Sequence, residues 1–149
     1  MPTEAQKGGP HILDTTKEIV ARYLEKHPLA GVAISSAGMV DPDKGEIFYA
    51  GPQIPNYAGT QFKKEIEEAF QVPCEIENDV NCAGLAEVTT GHAKGSDNAV
   101  CLTIGTGIGG CLLLDGQVFH GFSNSACEVG YLHLPDGAFQ DLASTTALV

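Results

Sequence analysis

The first half of the chain alternates between helical and extended patterns of apolar residues. Apolar residues recur every three to four positions over 11–27, which predicts a surface helix that ends before Pro28. The same spacing follows Thr60, whose hydroxyl suits a helix cap, and a third helix is predicted from an Asn78 cap to a Gly91 stop. The apolar positions of the first two helices are Ile12, Thr16, Ile19 and Tyr23, then Phe62, Ile66, Ala69 and Phe70.

Short apolar runs between and after these helices predict strands. The runs lie at 32–34, where a buried strand is expected, at 46–50 and 74–77, and on both sides of a glycine-rich loop. Asp115-Gly116 favours a tight hairpin before one more short strand. Strands that alternate with helices and end in hairpins indicate an α/β fold, and a composition break at 94–98 predicts two domains, 1–97 and 98–149.

Composition and charge narrow the classes of partner. The 149 residues are 43% hydrophobic, which is enough for a folded core, and carry 8 Lys and Arg against 19 Asp and Glu. A net charge of -11 argues against binding to nucleic acid or acidic membranes, since both require clustered cations. The five cysteines form no C-x-x-C pair and the amino terminus has no signal sequence, which favours a cytoplasmic protein. No apolar run approaches the ~18 residues of a membrane helix, so no membrane span is expected.

The glycine-rich loop, with the sequence IGTGIGG, leaves two interpretations open. Gly105, Gly107 and Gly110 fit the dinucleotide pattern G-x-G-x-x-G, but that pattern must open a helix, and here a second apolar run and a hairpin signal follow. A loop between two strands can still bind phosphate, because glycines expose backbone N–H groups and Thr106 adds a hydroxyl. A glycine-rich bend without any ligand explains the same residues.

Two acidic residues each have a functional and a structural explanation, and for Asp79 the structural one, a helix cap, is much the commoner. Asp79 follows a predicted strand and begins a predicted helix, where it can be a helix cap or a general base at the carboxyl end of a sheet. Glu128, in the stretch SACEVGYLHL, is either a solvated loop acid or an acceptor of hydrogen bonds from neutral hydroxyls. The three histidines that follow residue 90 lack metal-ligand spacing and are interpreted as surface or packed residues.

The order and spacing of four motifs resemble the ROK family of sugar kinases and sugar-responsive repressors. The motifs are SSAGMVDPDKGEI, IENDVNCAGLAE, IGTGIGGCLLLDGQVFHG and CEVGYLHL, and the resemblance spans residues 31–149. It implies the ribonuclease H-like, actin-like ATPase fold, in which two α/β domains close over ATP and a hexose. Residues 1–97 would then be part of the small sugar-binding domain, and 98–149 the start of the large ATP-binding domain.

The resemblance also assigns roles to residues. It implies that Asp79 is the catalytic base for a sugar hydroxyl and that Asn78 and Glu128 contact the sugar, while Gly105, Thr106 and Gly107 form a phosphate-binding loop. Asn56 would lie in a loop near the sugar. The expected substrates are ATP, with Mg²⁺, and glucose, a β-glucoside or an amino sugar; the alternative is a sugar-sensing repressor domain or a non-catalytic remnant.

Three departures from the family pattern modify these expectations. Tyr131 stands where zinc-containing members have a histidine and no cysteine cluster follows, so structural zinc is not expected, and Tyr131 is a further candidate sugar contact. The first phosphate loop, Asp-x-Gly-Gly-Thr on an amino-terminal hairpin, has no counterpart, and Val149 falls where further helices begin in the family. We therefore expect an internal portion of a ROK protein that is inactive alone. Because the strand at 32–35 exposes an unpaired edge, we expect the chain to form homo-oligomers, to swap a structural element or to be marginally stable.

Overall fold

The structure is a computed structural model that describes all 149 residues. It contains four α-helices, namely α1 (Gly9–Leu24), α2 (Phe62–Phe70), α3 (Asp79–Thr89) and α4 (Phe139–Ala143). Its nine strands are β1 (Val32–Ser36), β2 (Met39–Asp41), β3 (Glu46–Tyr49), β4 (Cys74–Asn78), β5 (Ala99–Ile104), β6 (Ile108–Leu114), β7 (Gln117–Val118), β8 (His133–Leu134) and β9 (Gly137–Ala138). The chain forms two compact units, Met1–Asn78 and Asp79–Val149.

The first unit is built on one parallel strand pair and one hairpin. β1 and β4 pair in parallel from Val32 opposite Cys74 to Ser36 opposite Asn78, and β2 pairs with β3 in the antiparallel direction. Helix α2 contributes Phe62 and Ile66 to the core, as the sequence predicts, and both side chains are almost fully buried. Since β4 is the single strand partner of β1, the predicted unpaired edge of β1 is present.

Three predictions for this unit are wrong in detail. Ile19 and Tyr23 of α1 are 38% and 58% exposed, because the helix instead buries Val20 and packs Leu13 and Leu24 against the core. The hydroxyl of Thr60 donates to the carbonyl of Tyr57 rather than capping α2, which begins after Gln61. Strand β1 is half-exposed in alternation rather than buried on both faces, because no element covers its second face. Strand β2 is an addition that the sequence analysis did not predict.

The second unit contains an antiparallel sheet of three strands in the order β5-β6-β7. The glycine loop joins β5 directly to β6, which pair over six residues, so the predicted strand-loop-strand is confirmed and the helix of a dinucleotide site is absent. Asp115 and Gly116 have φ of 52° and 74° at the turn between β6 and β7, which confirms the predicted tight hairpin.

Helix α3 belongs to the second unit, because it packs on β5 and β6. The two compact units therefore divide between Asn78 and Asp79, before α3, whereas the composition break predicts a boundary after residue 97. The assignment of 1–97 and 98–149 to sugar-binding and ATP-binding domains stays a prediction. None of the four α-helices has both the length and the apolar character needed to cross a membrane.

Candidate functional site

The glycine loop is fixed at one end by the last residues of the chain. The Gly105 N–H donates to the Gly107 carbonyl at 2.9 Å, which closes the loop. Thr145 donates twice to the carbonyl of Gly105, through its N–H at 2.9 Å and through its hydroxyl at 2.6 Å. Thr106 lies exposed at the apex. The hydrogen bonds that hold the loop are thus accepted by the carbonyls of Gly105 and Gly107, while Thr106 at the apex faces solvent.

The glycines of this loop serve two different purposes. A side-chain carbon at Gly109 would lie 2.5 Å from Val80 Cγ2, and one at Gly110 would lie 2.4 Å from the Cys127 carbonyl oxygen, so packing requires glycine at both positions. At Gly105 nothing lies within 4 Å, and φ is not positive. Neither packing nor backbone geometry explains the glycine at 105, whereas the approach of an anion to the backbone would.

Asp79 occupies the position that the sequence predicts, at the junction of β4 and α3. It is the first residue of α3 and is exposed, and its Oδ1 accepts a hydrogen bond from the Val80 N–H at 3.0 Å. The amino end of an α-helix favours a negative charge. The carboxylate is therefore accessible to a ligand.

Glu128 lies in the same electrostatic environment as Asp79. Burial and, second, the negative charge of Asp79 raise the pKa of Glu128. Cys127 has a left-handed φ of 65°, a strained conformation for this residue type. This conformation makes the backbone change direction just before Glu128. A side-chain carbon at Gly130 would lie 2.1 Å from the Ile108 carbonyl oxygen, so the segment after Glu128 packs directly on the start of β6.

The remaining predicted site residues fall in both units. Tyr131, 52% exposed, ends a 3-10 helix from Val129 and donates its N–H to the Glu128 carbonyl at 3.2 Å. Asn78 is the last residue of β4, and its Nδ2 donates to the Gly38 carbonyl at 2.9 Å. Asn56 lies in a loop of the first unit, where it lines a surface cavity of about 300 Å³ together with residues 58–61 of that loop and with residues of α1 and α2 such as Pro10. The second unit thus holds the loop, Asp79, Glu128 and Tyr131, and the first holds Asn56 and Asn78.

Sequence analysis missed two residues that support the loop. Thr145 holds Gly105, as described above. The side-chain oxygen of Gln140 in α4 lies 3.2 Å from where a side-chain carbon of Gly107 or of Gly130 would be, so it sits between the loop and the Glu128 segment. Helix α4 has five residues, too few to show a helical repeat, and no local sequence signal could have identified either residue.

Comparison with known proteins identifies the motifs as parts of one family pattern. The model of the ROK family matches residues 1–142. An uncharacterized protein of Clostridium perfringens is 52% identical over 147 residues, which are 99% of this chain and 50% of that protein. A beta-glucoside kinase of Listeria monocytogenes is 38% identical over 124 residues, covering 83% of this chain and 41% of the kinase.

A solved structure gives the same result for the fold. The ROK family glucokinase of Streptomyces griseus, crystallised with glucose and AMPPNP, superimposes with a TM-score of 0.80 at 30% identity, over 95% of this chain and 48% of the glucokinase. The fold is therefore that of the ROK kinases, the actin-like ATPase fold that the sequence predicts. This chain spans about half the length of the curated relatives that it matches.

Proposed function

Because the chain belongs to the ROK family, we propose that it is part of an ATP-dependent hexose kinase, which transfers the γ-phosphate of ATP to a sugar hydroxyl. The observation that carries this proposal is a glycine loop that is open around Gly105, in the same unit as Asp79 and Glu128, where the charge of Asp79 helps to raise the pKa of Glu128. Phosphoryl transfer needs a cradle for phosphate and a group that orients and deprotonates the attacking hydroxyl, and little else from the protein.

Asp79 is the proposed catalytic base. It would accept the proton of the sugar 6-hydroxyl as that oxygen attacks phosphorus, and its exposure leaves it accessible to a hydroxyl. Glu128, Asn78 and Asn56 are proposed to bind the other sugar hydroxyls, with Tyr131 as an additional contact. The raised pKa of Glu128 suits a group that hydrogen-bonds to neutral hydroxyls rather than to a cation.

The loop residues fit the phosphates of ATP. Nothing lies within 4 Å of where a side-chain carbon of Gly105 would be, and at Gly107 such a carbon would contact only the side-chain oxygen of Gln140. The exposed Thr106 can donate its hydroxyl to a phosphate oxygen. No group of three or more His, Cys, Asp or Glu side chains is placed to bind a metal ion. ATP supplies the phosphoryl group, and Mg²⁺ would accompany its phosphate oxygens.

A direct test is calorimetric titration with sugars. The chain is titrated with glucose, the β-glucoside cellobiose and N-acetylglucosamine, with and without AMPPNP, and the same titrations are made with Asp79→Asn, Gly105→Val and the control Asp136→Asn, an exposed acid outside the site. We expect heat from at least one sugar, lost in Asp79→Asn, and a nucleotide effect lost in Gly105→Val. Equal heats for all variants, or none for any sugar, would contradict the proposal.

The alternative function is a sugar-sensing domain of a repressor. Such a domain also binds sugar but has no need of a base, so the accessible carboxylate of Asp79 favours the kinase. A chain extended to the length of its relatives separates the two, because a kinase forms sugar phosphate and ADP from sugar and ATP, whereas a sensor only binds sugar.

The cysteines support a proposal about the cellular compartment. All five are free, as is usual in a reducing compartment, so we propose that the protein is cytoplasmic.

The unpaired edge of β1 supports a proposal about oligomer formation. This edge can accept a strand from a second copy of the chain, so we propose a homo-oligomer contact there. Light scattering of the chain would test this contact, and a monomer at all concentrations would exclude it.

A further inference from the structure

A tyrosine hydroxyl lies buried in the core of the first unit. Tyr57 is 4% exposed, and its ring packs edge-on against Phe62 with the ring centroids 6.0 Å apart. The ring of a phenylalanine would pack in the same way, so packing does not account for the hydroxyl. A buried hydroxyl costs free energy unless it is hydrogen-bonded. The hydrogen bond that it makes to β1 therefore shows what Tyr57 contributes beyond packing.

The hydroxyl of Tyr57 meets the hydroxyl of Ser36, the last residue of β1, with 2.5 Å between the two oxygens. Ser36 is itself 6% exposed, and its hydroxyl donates to the carbonyl of Ala37 at 3.0 Å. Because a serine hydroxyl has only one proton to donate, Tyr57 must be the donor to Ser36. The hydrogen bonds therefore run in one direction, from Tyr57 through Ser36 to the backbone that follows β1.

The turn that follows β1 also holds the side chain of Asn78. Ser36 lies opposite Asn78 in the parallel pair of β1 and β4, and Asn78 Nδ2 donates to the carbonyl of Gly38 at 2.9 Å. Gly38 has a left-handed φ of 93°, and a side-chain carbon there would lie 2.8 Å from the carbonyl oxygen of Tyr49. The turn is thus closely packed, and Ser36 and Asn78 both bond to it.

At the other end of the connection, Tyr57 directly follows Asn56. Asn56 is exposed and has a left-handed φ of 52°, a conformation that few residues other than glycine adopt. The carbonyls on both sides of it are held, because the Gly9 N–H donates to Pro55 at 2.9 Å and the Thr60 hydroxyl donates to Tyr57 at 2.7 Å. The backbone around Asn56 is therefore constrained, and the hydroxyl of Tyr57 ties it to β1.

We propose that Tyr57 is a positioning residue for the two sugar contacts of the first unit, Asn56 and Asn78. Its hydroxyl acts through Ser36 and joins the loop that carries Asn56 to the turn that Asn78 holds, so that a hexose meets both amides in one arrangement. We call the hydrogen bond between Tyr57 and Ser36, with its continuation into the turn at 37–38, the tyrosine–serine link. The inference rests on the proposed function, because it concerns residues that are proposed to bind the sugar.

Sugar affinity measures the effect of the link. The chain is titrated calorimetrically with glucose, cellobiose and N-acetylglucosamine, and Tyr57→Phe, which removes only the hydroxyl, should weaken binding about three- to tenfold. The matched control Tyr23→Phe removes the same group from a side chain of α1 that is 58% exposed, and it should leave the affinity unchanged. Val20→Ala destabilises the same unit from its other apolar cluster and should also leave the affinity of the folded chain unchanged.

A second variant interrupts the link from its other side. Ser36→Ala leaves the ring of Tyr57 in place, and it serves as the test should Tyr57→Phe not fold. It should weaken sugar binding to a similar degree. The variant that carries both changes should bind no more weakly than either one, because each change removes the same connection.

NMR tests the link without any sugar. In the labelled chain, the side-chain amide signal of Asn78 should shift in Tyr57→Phe, and the backbone amide signal of Asn56 should shift in Ser36→Ala. Neither signal should shift in Tyr23→Phe. If the unchanged chain binds no sugar, the proposed function fails, and these two signals alone decide on the link.

Three results would overturn the inference. The first is that both signals stay in place in the variants of the link. The second is that Tyr57→Phe weakens sugar binding no more than Val20→Ala does, which would make the hydroxyl a feature of stability alone. The third is that the losses of affinity from Tyr57→Phe and Ser36→Ala add up in the double variant, which would mean that the two hydroxyls act separately.

Discussion

Gly130 offers a sharp test of how the Glu128 segment is held. The added carbon of Gly130→Ala would lie 2.1 Å from the Ile108 carbonyl oxygen, whereas unstrained carbon contacts begin more than an ångström further out. The neighbour is backbone within a sheet and cannot rotate away. Overpacking a buried site costs about 1–3 kcal/mol, and a backbone clash belongs at the upper end, so we expect a loss of about 3 kcal/mol in the free energy of unfolding. For a chain of this length that loss lowers the melting temperature by roughly 9 °C.

Gly105→Ala is the matched control, because the same carbon there meets nothing within 4 Å and φ is not positive. It should leave stability unchanged or raise it by about 0.4–1 kcal/mol through reduced freedom of the unfolded chain. Urea denaturation followed by circular dichroism measures both, and hydrogen exchange over 108–114 reports the second unit separately. Equal stability of the two variants would refute the inferred packing of Gly130 on β6.

Three further predictions follow from single contacts. Glu128→Gln should raise the melting temperature at pH 7, because Gln stays neutral where the folded state disfavours the charged carboxylate. The folded state raises the pKa of Glu128, so the stability of the unchanged protein falls as the pH rises from about 4.5 towards the raised pKa. The gain in melting temperature from Gln should therefore vanish below pH 4.5. Phe62→Ala removes a side chain that is 1% exposed and should lower the free energy of unfolding by about 3–5 kcal/mol in urea denaturation. Thr145→Val removes the hydroxyl that donates to Gly105 and should speed amide exchange at 105–107, at a stability loss of about 0.5–1.5 kcal/mol.

The fold was predictable wherever local chemistry determines local structure. Asp115-Gly116 predicts the turn it makes, because both residues tolerate the positive φ that a tight hairpin requires. Phe62 and Ile66 predict the buried side of α2, because the apolar residues of that helix, Ala69 and Phe70 included, recur at helical spacing along one side. The apolar run after the glycine loop, ended by a hairpin signal, correctly predicted a strand rather than a helix.

What could not be predicted depends on contacts distant in sequence. Helix α1 has enough apolar residues for two stripes, and only the position of β1 and β4 selects the one with Val20 over the one with Ile19. The reason for each glycine in the loop is likewise tertiary, because Gly109 and Gly110 look no different from Gly105 until Val80 and Cys127 are placed beside them. Patterns within a segment carry no information on such neighbours.

Packing in the second unit explains how Asp79 and Glu128 are held in position although the loop that separates them in sequence is glycine-rich. Val80, next to Asp79, rests on Gly109, and Gly130, two residues after Glu128, rests on the carbonyl of Ile108. Both acids are therefore positioned by the first two residues of β6 rather than by the loop itself. Because β6 is paired on both sides, it is the most constrained strand of the sheet. In the proposed kinase, the loop that would bind phosphate can then move without displacing the carboxylates that would face the sugar.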